Sequence, residues 1–484
     1  MLGHHHRTKP ADTAAADAAG DALPPGAGIA MFAIGLGVIV IANDFTAMNV
    51  AIPAIEKDFD VGIGTAQWVV NAYALIFGMA IVTGGRLADM FGRRKIFFIG
   101  AGIFALFSLL GGLAPSAPVL IAMRLLMGVG GALMWPALLG LTYGLLPESK
   151  AGLAGGLILG AAGIGNAVGP MLGGFLTDEI SWRAIFFLNL PIAAFAVAVI
   201  AAKVPRDAPG QLEGIDYPGI ATLSLGLILL LLGFDQAGDW GFGDPRVIAF
   251  FAVAITLIVA FVLIEPRMGE RALVPRDVMA NANFRSACVT VLLLSAVFFT
   301  VLLYVPQFMI KDLGYSPLEA GTGLLPMLGV FSVTSFVAGR FYERVGAKIM
   351  VTGGAAGIAI GIVLLAMIDP DWEYRNLIPG LAVLGLGVGL FYSSVTTAAV
   401  TSLDPSRTSL AGGVIYMFQV AGGAIGLGIT TTIVILSSDD DLTGASYVDG
   451  IAAGFRYVAI LAVLSVVVSL LFVGGPLRRR ATSD

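Results

Sequence analysis

The chain has 484 residues, 57% of them hydrophobic and only 12% Asp, Glu, Lys or Arg, with a formal net charge of −5 and a mean hydropathy of +0.92. That balance excludes an ordinary soluble globular domain and leaves room for no large one. It fits a polytopic membrane protein built from apolar helices of roughly 17 to 25 residues.

The first 28 residues, rich in Ala, Asp and Pro, read as a disordered tail with no apolar signal segment. His4, His5 and His6 are the only histidines and are read as chance or an engineered remnant rather than a metal site. Fourteen apolar runs follow, near 29–54, 67–88, 96–114, 118–141, 152–176, 182–202, 215–234, 246–264, 284–308, 319–341, 348–367, 377–399, 407–436 and 453–474. An alternative with twelve spans, in which 215–234 and 246–264 lie in the interface, requires polar faces that these two runs lack. Cys288 is the single cysteine and has no disulfide partner.

Loop charge alternates along the chain. One set of loops carries Arg93, Arg94, Lys95, Lys150, Lys203, Arg206, Arg267, Arg271, Arg276, Arg344, Lys348, Arg407 and the run 478–480; the other carries Asp58, Asp60, Asp178, Glu179, Asp235, Asp239, Asp244, Asp369, Asp371 and the run 439–441. The positive-inside rule then places both termini in the cytoplasm. Dropping one span would invert every later loop.

The stretch Gly85-Arg86-Leu87-Ala88-Asp89-Met90-Phe91-Gly92-Arg93-Arg94-Lys95 recurs at an offset of 254 residues as Gly339-Arg340-Phe341-Tyr342-Glu343-Arg344-Val345-Gly346-Ala347-Lys348. Both copies sit between two spans on the basic side. A parallel duplication follows, with six spans in each half. The expected organisation is a tail over 1–28, a six-helix bundle over 29–202, a linker with two inserted spans over 203–283, a second bundle over 284–474 and a tail over 475–484. Residues 265–283, with Glu265, Pro266, Pro275 and Asn281, read as the polar connector.

Asp44 and Arg124 are the two clearly intramembrane charges. A charge at mid-bilayer costs about 2.5 to 3.5 kcal/mol on insertion scales, so such residues face a bundle interior or an aqueous path. At 1.5 Å per residue, Asp44 lies roughly 15 Å from the outer end of its span, and Arg124 lies at a depth within about a helix turn of it. An adjacent guanidinium favours a charged carboxylate, while desolvation favours a neutral one. The alternative is a fixed ion pair that orders the bundle.

Taken together, these stretches resemble the major facilitator superfamily, specifically its fourteen-helix drug:proton antiporter family. Gly85 to Lys95 resembles the superfamily loop motif. Arg124 with Gly128, Gly130 and Ala132 resembles the fourth-span motif, and Gly165, Gly169, Pro170, Gly173 and Gly174 the fifth-span antiporter motif. Asp44, Thr46, Asn49, Val50, Ala51, Ile52 and Pro53 are similar to its first-span motif, and Trp182, Arg183, Phe186, Asn189 and Pro191 to its sixth-span opening. The resemblance implies an all-α membrane fold of two pseudo-symmetric six-helix bundles with two inserted helices, and no enzyme activity. It implies proton-coupled export of small amphipathic molecules, cationic or neutral drugs or hydrophobic metabolites, from a bacterial inner membrane, by a monomer that binds protons and membrane lipid, needs no cofactor or metal and binds no nucleic acid.

In that reading Asp44 and Arg124 couple protons. Gly85, Arg86, Asp89, Gly92, Arg93, Arg94 and Glu343 form a conformational latch, and the fifth-span glycines form a pliable seam against the other bundle. Candidate cavity residues are Asn43, Asn49, Trp68, Asn71, Tyr73 and Trp135 in the first half. Asn166, Tyr304, Gln307, Tyr392, Tyr416 and Gln419 extend the set. Proton-coupled uptake of a small metabolite and an ion channel remain the alternatives.

Overall fold

The computed structural model describes residues 26–206, 214–438 and 444–473. The tail ahead of Gly26 with its three histidines, the acidic run 439–441 and the basic run 478–480 lie outside the described residues. Among those described, the regular structure is helical and contains no strand.

The first bundle comprises α1 (Ala27–Phe59), α2 (Ile63–Phe91), α3 (Arg93–Gly112), α4 (Ala117–Leu145), α5 (Ala151–Glu179) and α6 (Arg183–Lys203). The pair α7 (Tyr217–Trp240) and α8 (Pro245–Met268) follows, and then the short α9 (Arg276–Ala280). The second bundle comprises α10 (Ala282–Lys311), the short α11 (Pro317–Thr322), α12 (Leu325–Val345), α13 (Ala347–Leu365), α14 (Tyr374–Val400), α15 (Thr408–Leu436) and α16 (Gly444–Phe472). With α11 and α12 taken as one broken span, 14 helical segments are long and apolar enough to cross a membrane.

Ile248, Ile255, Val262 and Leu263 are all more than half exposed along α8. A helix apolar on its exposed side suits lipid rather than water. The pair α7 and α8 therefore sits at the rim, with α7 packed on α2 and α15.

The helices close on one another through small residues, which let backbones approach where lipid removes any hydrophobic drive between them. A Cβ on Gly156 of α5 would lie 2.7 Å from the Ser335 carbonyl of α12, and one on Gly413 of α15 would lie 2.7 Å from the Ile81 carbonyl of α2. These two contacts, α5 on α12 and α2 on α15, are the main crossings between bundles.

The turns joining α2 to α3 and α12 to α13 are single glycines, Gly92 at φ 99° and Gly346 at φ 91°. A side chain at either position would be strained, so both copies of the repeat need glycine there. The loops that carry the basic residues gather at this end of the molecule, called the basic end below.

Two expectations change. The span expected at 319–341 is broken into α11 and α12. A capping box between Ser316 and Glu319 starts the first piece, and a proline at the start of α12 favours a new helix start rather than continuation. The connector expected from Glu265 begins later, because α8 runs on to Met268 and buries Glu265.

Candidate functional site

Asp44 on α1 and Arg124 on α4 form an ion pair, Arg124 Nη1 donating to Asp44 Oδ2, with both side chains fully buried. Glycine makes the approach of the surrounding helices possible. A Cβ on Gly128 would lie 2.8 Å from the Tyr73 carbonyl, so α4 packs directly on the α2 backbone. Arg124 Nε then donates to the Val69 carbonyl at 2.7 Å, and its guanidinium lies 4.4 Å from the centre of the Tyr73 ring. The planar fork thus holds α1 and α2 at once, which a point charge cannot do.

Asp44 has a second partner. Asn189 Nδ2 on α6 reaches Asp44 Oδ1 at 3.5 Å and Ser108 Oγ on α3 at 3.2 Å, and Ser108 Oγ in turn donates to the Phe186 carbonyl at 2.8 Å. The charge cluster therefore draws on α1, α2, α3, α4 and α6. Arg124 Nη2, the Tyr73 hydroxyl and Asn43 Oδ1 are buried with no hydrogen-bond partner among the described residues. Polar atoms left so in an apolar interior are costly, and they mark this region as a place where protonation or ligand contact changes the energy.

An aromatic layer adjoins the cluster. Phe45 lies 4.8 Å from Tyr73 and 5.2 Å from Phe77, and Tyr416 of α15 lies 5.3 Å from Phe77 and 4.9 Å from Trp135. Tyr73, Trp135 and Tyr416 are thus brought together across the two bundles. Tyr392 and Tyr304 lie in the second bundle, bonded to Ser295 at 2.9 Å and Thr431 at 2.8 Å. Asn49 is exposed and bonds its own helix at Phe45, while Trp68, Asn71, Asn166, Gln307 and Gln419 are half-buried. Asn43 is buried beside α5.

The basic end is pinned by two related contacts. Asp89 Oδ1 accepts from Ser409 N at 3.1 Å and Oδ2 from Leu410 N at 2.8 Å, the first turn of α15 in the opposite bundle. A helix start carries unsatisfied N–H groups and a partial positive charge, so the carboxylate fits it on both counts. Arg93 braces the contact, donating to Asp89 Oδ1 at 3.2 Å, to the Gly140 carbonyl at 3.0 Å and across to the Pro405 carbonyl at 2.5 Å. Asp404, which caps that turn, has its carboxyl held below the usual carboxylate range by its bonds from Ser406 and by nearby Arg407.

The repeat copy does the same with less. Glu343 Oε1 accepts from Gly152 N at 3.1 Å at the start of α5, and Ala347 stands where Arg93 stands in the first copy. Gly85 is the point of contact with α15, since a Cβ there would lie 2.5 Å from the Ser409 carbonyl. Arg94 turns inward instead and caps the end of α6 at Ala201 and Val204, at 2.7 and 2.6 Å. Arg86 faces α7 and is taken up below.

The expected seam divides. Gly165, Gly169 and Gly173 face α1 of their own bundle: a Cβ on Gly165 would meet the Ile39 carbonyl at 2.7 Å, one on Gly169 would strike Thr46, and one on Gly173 would meet the Ala47 carbonyl at 2.5 Å. Gly174 packs on Leu318 of α11, and Pro170 approaches Gly321. The cross-bundle seam of α5 is the earlier set, Gly152, Gly156, Gly160 and Gly163, set against Gly339, Ser335, Phe336 and Ser332. The reason is helical phase: residues at 165, 169 and 173 lie on one stripe, and α1 occupies it.

Sequence reasoning missed Ser108, the Val69 carbonyl and the N–H groups of Ser409 and Leu410. A serine on an apolar span is a weak signal, and backbone partners leave none.

Comparison with known proteins gives a consistent picture. The sequence profile of the Major Facilitator Superfamily matches residues 34–427 and 287–483. The chain is similar to the puromycin resistance protein pur8 of Streptomyces alboniger, 32% identical over 436 residues, covering 88% of this chain and 86% of that protein. It is also similar to the tetracenomycin C resistance and export protein of Streptomyces glaucescens, 30% identical over 400 residues, covering 82% and 74% of the two chains. Among solved structures, the human organic anion transporter MFSD10 shares the fold with a TM-score of 0.66 at 14% identity, covering 92% of this chain and 100% of that one.

Proposed function

The chain belongs to the Major Facilitator Superfamily, and from that premise we propose that it is a drug exporter that exchanges protons for small amphipathic, cationic or neutral molecules by alternating access. The positive-inside rule sets the basic end in the cytoplasm, so the conformation described here is closed on the cytoplasmic side and sits in the plasma membrane. No cofactor enters this reading; the proton gradient supplies the energy, and a monomer suffices.

The buried Asp44–Arg124 pair carries the proposal. A proton on Asp44 removes the charge that Arg124 grips, while Arg124 stays anchored on Val69 and Tyr73. Protonation therefore frees α1 from α4 and leaves α4 on α2. Because α1 packs on α5 through Gly165, Gly169 and Gly173, and α5 packs on α12, release of α1 is delivered to the interface between bundles. Substrate entering the aromatic layer of Phe77, Trp135 and Tyr416 competes for the same adjustment, which suits flat amphipathic molecules.

The test is a panel of dyes and antibiotics in inverted membrane vesicles with an imposed pH gradient. Antiport is expected to take up substrate against its gradient and to release internal protons. Substrate movement in the same direction as protons, or ion flux with no exchange, would replace this reading with a symporter or a channel.

A further inference from the structure

The inserted helix pair carries a second buried acid cluster that the exchange mechanism does not use. Asp216, 2% exposed, caps α7 through Oδ1, which accepts from Gly219 N at 2.8 Å. Glu265, 8% exposed, lies near the end of α8, where Oε1 accepts from Val274 N at 2.5 Å. Among the described residues, the other two oxygens, Asp216 Oδ2 and Glu265 Oε2, have no donor.

Those two oxygens converge on one point. A Cβ on Gly219 would touch Asp216 Oδ2 and lie 2.9 Å from Glu265 Oε2, so both oxygens crowd the same glycine. Two ionised carboxylates have no hydrogen to place between these oxygens, and like charges at this spacing in a dry site do not both persist. One proton between them satisfies both acceptors. The charged groups facing the pair among the described residues are Arg86 from α2, buried at 4% exposure, and Arg271 from the turn after α8.

We propose that Asp216 and Glu265 form a proton-binding site, one proton shared between Oδ2 and Oε2, whose occupation docks α7 and α8 on Arg86 of α2. Loss of the proton to the basic end leaves two facing carboxylates and pushes the pair apart. Arg86 lies one helical turn before Asp89, so the site bears on the helix that carries the latch. This assignment concerns the inserted pair and is independent of what the central pathway transports.

The experiment uses the purified full-length protein in detergent, with Asp44→Asn as the background so that Asp44 adds no signal. Infrared difference spectra between acid and alkaline buffer are expected to show a carboxylic-acid carbonyl band that disappears in Glu265→Gln and in Asp216→Asn. Each amide supplies the missing N–H and keeps the cap or the Val274 contact, so both variants are expected to fold. In parallel, the parent protein is expected to lose thermal stability as pH rises through the titration of the pair, whereas Glu265→Gln loses less. A band that survives in both variants, or identical pH profiles of Tm, overturns the proposal. So does stabilisation by sodium but not by choline at fixed pH, which would make the site one for a metal cation.

Discussion

Asp89→Asn isolates the latch. Of the three bonds to the carboxylate, the one from Arg93 stays within the first bundle and survives opening. Only the bonds from Ser409 N and Leu410 N, at 3.1 and 2.8 Å, are lost when the bundles part. Bonds to a charged acceptor contribute about 1.5 to 3 kcal/mol each, so closure gains about 3 to 6 kcal/mol from this residue. Asparagine offers one neutral oxygen, worth about 0.5 to 1.5 kcal/mol for one bond. The expected loss is therefore about 1.5 to 5.5 kcal/mol, or about a tenfold to a ten-thousandfold shift toward the form open at the basic end. Spin labels on Glu148→Cys and Ser406→Cys, in a Cys288→Ser background, report the gap between bundles by pulsed electron resonance. A longer distance should dominate in Asp89→Asn without substrate. A distribution unchanged from the parent would mean that the carboxylate does not control closure.

Glu343→Gln should shift the same distances by much less, under about tenfold, because an exposed carboxylate with one bond contributes only about 0 to 1 kcal/mol; an effect as large as that of Asp89→Asn would refute the asymmetry read from the two copies. Asp44→Asn should abolish proton-driven export while leaving the protein folded, checked by vesicle uptake and thermal melting; transport that still follows the pH gradient would remove Asp44 from the carrier role. Arg124→Ala leaves a buried carboxylate unpaired and should cost about 3 to 5 kcal/mol of stability. The double variant with Asp44→Asn should recover the melting temperature but not transport, and recovered transport would reduce the pair to a packing element. Gly156→Val should block closure at the basic end, since even a Cβ there falls 2.7 Å from the Ser335 carbonyl, whereas Gly165→Val should act inside the first bundle and lower thermal stability; similar spin-label shifts in both would contradict the division of the seam.

Much of this protein was legible in its sequence because the membrane imposes simple conditions. Apolar length and loop charge are one-dimensional properties, so the fourteen spans and their alternation were readable before any packing was known. The repeat was equally legible: Gly92 and Gly346 both need a positive φ, and Asp89 and Glu343 sit at the same offset. The rarity of intramembrane charge singled out Asp44 and Arg124 in the same way. What the sequence could not decide was who faces whom. Helical phase in a folded bundle depends on every neighbour, so Gly165, Gly169 and Gly173 turned toward α1 rather than the opposite bundle. Partners that are backbone atoms, such as the Val69 carbonyl or the N–H groups of Ser409 and Leu410, carry no side-chain signature. Glu265 read as connector because it closes an apolar run. Only the packing of α8 on α7 buries it beside Asp216, 49 residues earlier in the chain, since burial is set by contacts between segments and not by the residues on either side.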